Sequence, residues 1–230
     1  MLPTPSTKAR VSAKFFRAPL SPAGRGLIVF SVAQHENRED WMKVELVREF
    51  GEPRFQGQPR GTRHFARICE ILSGVDRGET VYLDFSGAEV LTGSWISAML
   101  IQLLRWAAEA QIDLFFVLCN LNDTDFIDEL RYVANHARAV FLLATGKAPW
   151  RKATVVGPLD PGQKATLAAV VKAGQVTGAE LERLYPTTGV KATAWNNRLK
   201  DLHNKRLIMR DKVGREQVYR PVVQETSSDG

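Results

Sequence analysis

The sequence predicts an α/β layer followed by a smaller helical module that ends in a hairpin. Three observations carry that reading. Apolar runs of strand length alternate with helix-length stretches up to about residue 146, a cluster of prolines and glycines follows over 147–160, and the segment beyond it is strongly basic. The 230 residues are 44% hydrophobic and 24% charged, an ordinary globular balance that excludes wholesale disorder, collagen and a membrane bundle. The richest apolar stretch, 95–108, is broken by Ser97, Gln102 and Arg105 and falls short of the roughly 18 residues a spanning helix needs. No membrane partner is expected. Cys69 and Cys119 are the only cysteines, too few for a disulfide framework or a cysteine-rich zinc site, and they suit a reducing, cytoplasmic setting.

Taken in order, residues 1–26 hold five basic residues, four prolines and no acid, and are expected to form a mobile basic arm, with a short strand in 11–16 as the alternative. Residues 27–146 are expected to form the α/β domain. Its strands are 27–32, 81–85 and 114–119, solid apolar runs of the kind found in sheets covered on both faces, and 139–143 would close the sheet. Helices are expected at 62–73, 94–111 and 123–133. The stretch 44–50 stays open: Trp41, Val44 and Val47 fit a helix, whereas Val44, Leu46, Arg48 and Phe50 nearly alternate as a strand. Residues 147–160 are expected to be a linker.

The second domain is expected at 161–222. A helix over 163–172 is stopped by Gly174. Thr177 sits at an N-cap position with Glu180 three residues on, a capping box, and Leu181, Leu184 and Tyr185 follow on one face until Pro186-Thr187-Thr188-Gly189 ends the helix. A third helix runs from about 191 to 204 with Trp195, Leu199 and Leu202 inward; whether Thr193 and Asn196 face outward depends on its phase. Strands at 207–210 and 217–220 flank Asp211-Lys212-Val213-Gly214-Arg215, whose glycine permits a hairpin turn. A disordered tail is expected at 223–230.

The clearest local pattern is Leu83-Asp84-Phe85-Ser86-Gly87-Ala88-Glu89-Val90-Leu91-Thr92-Gly93-Ser94-Trp95, a strand passing through a glycine turn into a helix. It resembles the STAS fold, and more closely the STAS-like families of bacterial proteins. The resemblance implies a small mixed sheet backed by helices that senses a signal or docks a partner. Aligned to the anti-sigma antagonist motif, Thr92 takes the Asp position, Gly93 the phosphoacceptor position and Ser94 the next hydroxyl. Thr92 and Ser94 are therefore the candidate phosphoacceptor or partner-surface residues, and a kinase-like ATPase or anti-sigma-type protein is the implied partner. The plain structural role for Ser94 is to cap the helix.

Charge divides unevenly. Residues 1–146 hold 16 Lys and Arg against 17 Asp and Glu, whereas 147–220 hold 15 against 6. A compact module with that excess attracts polyanions by counterion release. Three helices and a hairpin, with Asn197-Arg198-Leu199-Lys200-Asp201-Leu202-His203 running into Leu207-Ile208, resemble a winged helix-turn-helix. Arg206 stands where such proteins usually carry glycine, so a tighter or differently shaped helix exit is expected. The resemblance implies duplex DNA as partner and a homodimer by analogy. It makes Lys191, Thr193, Asn197, Arg198 and Lys200 the helix contacts and Arg210, Lys212 and Arg215 the wing contacts.

The remaining constellations point to structure. Asn120, Asn122, Asp123, Asp125 and Asp128 lack the central glycine and spacing of a calcium loop and read as a loop with an acidic first helical turn. Arg60, Arg63 and Arg67 recur at helical spacing and read as a solvated face. His35, His64, His136 and His203 have no metal-ligand spacing, and there is no nucleophile elbow or P-loop. Asp84 reads as a turn former rather than a catalytic carboxylate. No metal, cofactor or enzymatic activity is expected. The function expected is a DNA-binding transcriptional regulator with a signal- or partner-receiving STAS-like module; the alternative is a partner-switching adaptor that binds proteins only.

Overall fold

The structure, a computed structural model, describes residues 41–110 and 112–228, all within one compact unit. The expected basic arm and the strand at 27–32 lie outside the described residues.

The chain alternates as expected through its first half. β1 (Trp41–Glu45) passes directly into the short α1 (Leu46–Phe50), so the ambiguous stretch is a strand and then a helix. β2 (Arg54–Phe55), α2 (Gln58–Leu72), β3 (Thr80–Asp84) and β4 (Val90–Leu91) follow. α3 (Gly93–Ile96) continues through a π-helical segment, Ser97–Ile101, into α4 (Gln102–Glu109). β5 (Phe115–Cys119), α5 (Thr124–Ala137) and β6 (Phe141–Thr145) complete this half. The second half comprises β7 (Lys152–Val156), α6 (Pro161–Ala173), α7 (Gly178–Leu184), a 3-10 turn at Pro186–Thr188, α8 (Ala192–Asn204), β8 (Ile208–Val213), β9 (Glu216–Pro221) and β10 (Glu225–Ser228).

The fold is mixed α/β around a parallel-rich sheet of six strands in the order β1-β3-β5-β6-β7-β10. β1, β3, β5 and β6 are mutually parallel, β7 runs antiparallel to β6, and β10 lies parallel to β7. Strand periodicity then sorts the side chains onto two faces. Val81, Leu83, Phe116, Leu118, Phe141 and Leu143 join one core with Ile68, Trp95, Met99 and Leu130 of the helices from the first half. Tyr82, Val117, Cys119, Leu142, Ala144 and Val155 join a second core with Leu167, Val170, Trp195, Leu199 and Leu202 from α6 and α8. The helices from the second half thus cover the other face of the sheet.

This corrects two boundaries. The expected linker at 147–160 contains β7, with Ala153, Val155 and Val156 buried, and Trp150 stacks on Tyr82 at 4.8 Å between ring centroids. Its prolines and glycines flank the strand and do not interrupt it. The expected disordered tail contains β10, anchored by buried Val223 and Thr226, whose hydroxyl donates to Val223 O at 2.8 Å. The reason is that β7 would otherwise expose an unpaired backbone edge. One expected core residue moves outward: Leu181 is buried, but Leu184, in the last turn of the seven-residue α7, is 59% exposed.

Arg206 joins the sheet to the helix-and-hairpin half. It adopts a left-handed backbone (φ 62°), the conformation glycine would take at that position, so the exit from α8 has the glycine-type turn and not the differently shaped one that the substitution led us to expect. The guanidinium, only 8% exposed with its residue, donates to Asp113 Oδ1 at 3.2 Å and to Ala107 O at 2.9 Å and lies 6.0 Å from the Phe115 ring centroid. His203, one α8 turn earlier, is buried against Phe115 and shares its Nδ1 with Ile208 O at 3.1 Å.

Two outcomes follow from this shared core. Cutting the chain between residues 146 and 147 should yield pieces without cooperative thermal unfolding, measured by circular dichroism, because each exposes one side of the second core. Replacing Arg206 should separate charge from backbone strain in urea denaturation. Arg206→Ala is expected to cost about 2 kcal/mol through loss of the Asp113 and Ala107 contacts. Arg206→Gly should recover about 1 kcal/mol of that by relieving the left-handed backbone.

Candidate nucleic-acid interface

The site is built on α7, α8 and the β8–β9 hairpin. Thr177 caps α7: its hydroxyl accepts from Glu180 N at 3.2 Å, and the Glu180 carboxylate accepts from Thr177 N at 2.7 Å, the expected capping box. The preceding residue, Val176, exchanges two 2.9 Å backbone hydrogen bonds with Tyr219, which ties the start of α7 to the hairpin. At the crossing of α7 and α8, a Cβ on Gly178 would lie 2.1 Å from Asn196 Oδ1 and 3.0 Å from Ala192 O, so a larger residue here would displace the Asn196 side chain and crowd the start of α8. Glu182 locks the other end, accepting from Ala192 N at 2.9 Å and pairing with Lys191 Nζ at 3.3 Å.

α8 buries Trp195, Leu199 and Leu202 as the spacing predicted and leaves Thr193, Asn196, Asn197 and Lys200 exposed. In the hairpin, Val213 pairs with Glu216 around Gly214 and Arg215, with Gly214 at φ 63°. Register places Arg210 opposite Tyr219, and Arg220 pairs with Asp211 at 3.0 Å. A groove of about 530 Å³ lies between these elements, with Asn196, Asn197 and Lys200 on one wall and Arg210, Arg215 and Gln217 on the other.

Four of the eight predicted contacts therefore converge: Asn197, Lys200, Arg210 and Arg215. The others sit elsewhere. Lys191 is engaged with Glu182. Arg198 is half-buried, 5.4 Å from the Trp195 ring centroid and close to Gly162 at the start of α6, so it packs rather than reaches outward. Thr193 and Lys212 are exposed but do not line the groove. Asn196 and Gln217 were not among the predicted contacts. The capping-box phase of α7 and its close approach at Gly178 orient Asn196, and neither is visible from the periodicity of α8 alone.

The motif at Thr92 is differently organised from the expectation. Thr92, not Ser94, is the N-cap residue, and the Glu129 carboxylate from α5 accepts from Gly93 N. The Thr92 hydroxyl accepts from Gly57 N at 3.2 Å and lies 3.1 Å from Ser94 Oγ. A phosphate on Ser94 would meet that carboxylate where a free helix terminus was expected. Nearby, buried Asp84 accepts from Asn120 Nδ2 and Ser86 Oγ at 2.7 Å, Ser86 N at 2.9 Å and Lys43 Nζ at 3.2 Å. Burial alone would raise this carboxyl; the four donors outweigh it and hold Asp84 below its ordinary value. A carboxylate so fully engaged ties the ends of β1, β3 and β5 together.

Several other charged groups singled out in the sequence are also partnered. Arg60 pairs with Glu52, and Arg67 with Glu49 and Glu70. Asp123 caps α5 through Asp125 N. His64 is clamped between Trp95 Nε1 at 3.0 Å and Glu52 Oε1 at 3.0 Å and stacks on Phe50. His35 lies outside the described residues. Among the described residues no cluster of His, Cys, Asp or Glu is placed to hold a metal, and no helix is long and apolar enough to cross a membrane. No family model matches the chain, and no curated protein or solved structure does.

Burial holds His64 and His203 below the ordinary imidazole value of 6.5. The unfolded chain therefore takes up these protons at higher pH than the folded one, so their contribution to stability is full above about pH 6.5 and is lost as pH falls through that window. The urea midpoint should be lower at pH 5.5 than at pH 7.5. The difference should shrink in His203→Asn, whose amide can still donate to Ile208 O.

Proposed function

We propose that this chain binds duplex DNA through the groove between α8 and the β8–β9 hairpin and acts as a transcriptional regulator, with the sheet half receiving a signal or partner. One observation carries the reading: Asn197 and Lys200 from α8 and Arg210 and Arg215 from the hairpin line one groove, although they are spread over 19 residues of sequence. A helix exposing asparagine and lysine suits the major groove, where an Asn amide can read adenine, and flanking cations suit phosphates. The chain order α6, Val176 bridge, α7, α8, β8, β9 also supports the winged helix-turn-helix resemblance.

The STAS-like reading rests on the alternating parallel strands and on the turn at Asp84, and its partner class remains a kinase-like ATPase or anti-sigma-type protein. Ser94 is the exposed hydroxyl of the pair, Thr92 being engaged with Gly57. Because the two halves share a core, a partner on the sheet would act through the Asp113–Arg206 joint and not through a flexible linker. The second reading, an adaptor that binds proteins only, is favoured by exposed Leu184 beside a concavity of about 460 Å³ that includes Ala173 and Val176. The homodimer expected by resemblance could use the same surface.

Fluorescence anisotropy of the full chain on duplex DNA across a salt series tests the first reading. Lys200→Ala, Arg210→Ala and Arg215→Ala should each weaken binding on all sequences and lower the salt slope by about 1. Asn197→Ala should cost about 1–3 kcal/mol on a preferred site and relax selection at one base pair, whereas Lys191→Ala should do much less. Binding no tighter than that of an unrelated protein of equal charge would reject the DNA reading in favour of the adaptor.

A further inference from the structure

Another cavity, of about 500 Å³, is lined by Arg77, Asp113, His203, Asn204, Arg206 and Arg210. These residues come from the loop before β3, the loop before β5, the exit of α8 and the start of β8, so the cavity lies at the joint between the sheet and the helix-and-hairpin half. Three guanidiniums face one carboxylate. That carboxylate, Asp113, already pairs with Arg206. The side chains of Arg77 and Arg210 make no hydrogen bond or ion pair with another described residue. Within the same cluster, Arg206 is buried to 8% exposure and its Nε has no hydrogen-bond partner. A buried guanidinium donor left unpaired is unfavourable; Nε itself is closed to solvent, so an anion in the cavity would stabilise this guanidinium through its charge rather than by bonding that atom.

The geometry points to a binding site for a small phosphoryl-bearing anion. Guanidiniums match phosphate oxygens in pairs, and the volume falls in the range of small-molecule sites. With His203 neutral, the lining carries a surplus of two positive charges, which suits a phosphomonoester dianion better than the single charge of a phosphodiester. Arg210 lines both this cavity and the groove. A bound phosphate would draw Arg210 towards the joint and so weaken duplex binding; that regulatory clause rests on the DNA reading, whereas the site itself does not.

Phosphate chemistry could also come from DNA, and two arms separate the sources. In the first, inorganic phosphate is titrated calorimetrically into the full chain in a phosphate-free, low-salt buffer. Saturable one-site binding is expected, weakened roughly tenfold in Arg77→Gln and in Arg210→Gln, since each loses a charge-assisted contact worth about one decade in affinity. Arg77 is exposed, and the melting temperature of Arg77→Gln without phosphate should match the parent. In the second arm, Arg77→Gln should leave duplex affinity unchanged in phosphate-free buffer, while phosphate should weaken the duplex binding of the parent chain. Absence of saturable phosphate binding, or equal affinity in Arg77→Gln, overturns the site. Loss of duplex affinity in Arg77→Gln without phosphate binding assigns the cavity to DNA and overturns the free-ligand proposal. Phosphate binding by a chain that binds no duplex would leave the site standing and remove only the DNA reading.

Discussion

β3 and β5 are buried at every one of their five positions, and that fact governs the rest of the structure. A strand presents alternate side chains to opposite faces, so a strand with no exposed residue requires cover on both. The helices of the first half cover only the face of Val81, Leu83, Phe116 and Leu118. Tyr82, Val117 and Cys119 would face water without α6 and α8. Fully burying a side chain such as Val or Leu is worth about 1.5–3 kcal/mol, and several such residues per face make the helix-and-hairpin half a structural layer rather than an appendage. β7 and β10 extend the same sheet beneath it, which is why residues that look like linker and tail are strands.

Arg206 sits where this layer meets the sheet, and its environment contains opposing terms. Burial penalises the charge, and Asp113 with Ala107 O compensates it in part. A hydrophobic residue could fill the same space, but it would neither pair with Asp113 nor tolerate the left-handed backbone any better. The observed residue fixes the direction of the chain between α8 and β8. That direction sets where Arg210 emerges, and with it the width of the groove opposite Asn197 and Lys200.

Features decided locally were legible in the sequence. The capping box at Thr177 and Glu180, the inward phase of Trp195, Leu199 and Leu202, and the hairpin around Gly214, though not its tight two-residue turn, each depend on neighbours a few positions away. Features decided by distant pairing were not. β7 holds Ala153, Thr154, Val155 and Val156 between prolines, and pairing with Phe141–Thr145 and with β10 makes it a strand. Glu225–Ser228 is polar throughout and is ordered by the free edge of β7. The stretch 44–50 divides at Glu45 because β1 ends where its parallel partner Asp84 ends. In the candidate site, a basic helix face suggested Arg198 as a contact, yet packing against the start of α6 at Gly162 leaves it half-buried over the Trp195 ring of its own helix.

The groove and the core thus share one helix. The face of α8 that carries Asn197 and Lys200 is held in place by the face that carries Trp195, Leu199 and Leu202, and neither can shift without the other. A regulator with a flexible linker can change the position of its reading helix at little energetic cost. Here any change in the groove must repack side chains of the second core or break the Arg206–Asp113 pair, so only an effector that binds the two arrangements with different affinity can drive it. Apart from the backbone ladder between β6 and β7, the joint is where polar side-chain contacts, rather than close-packed apolar ones, link the two halves among the described residues, and it is therefore the part of the interface most open to an ion.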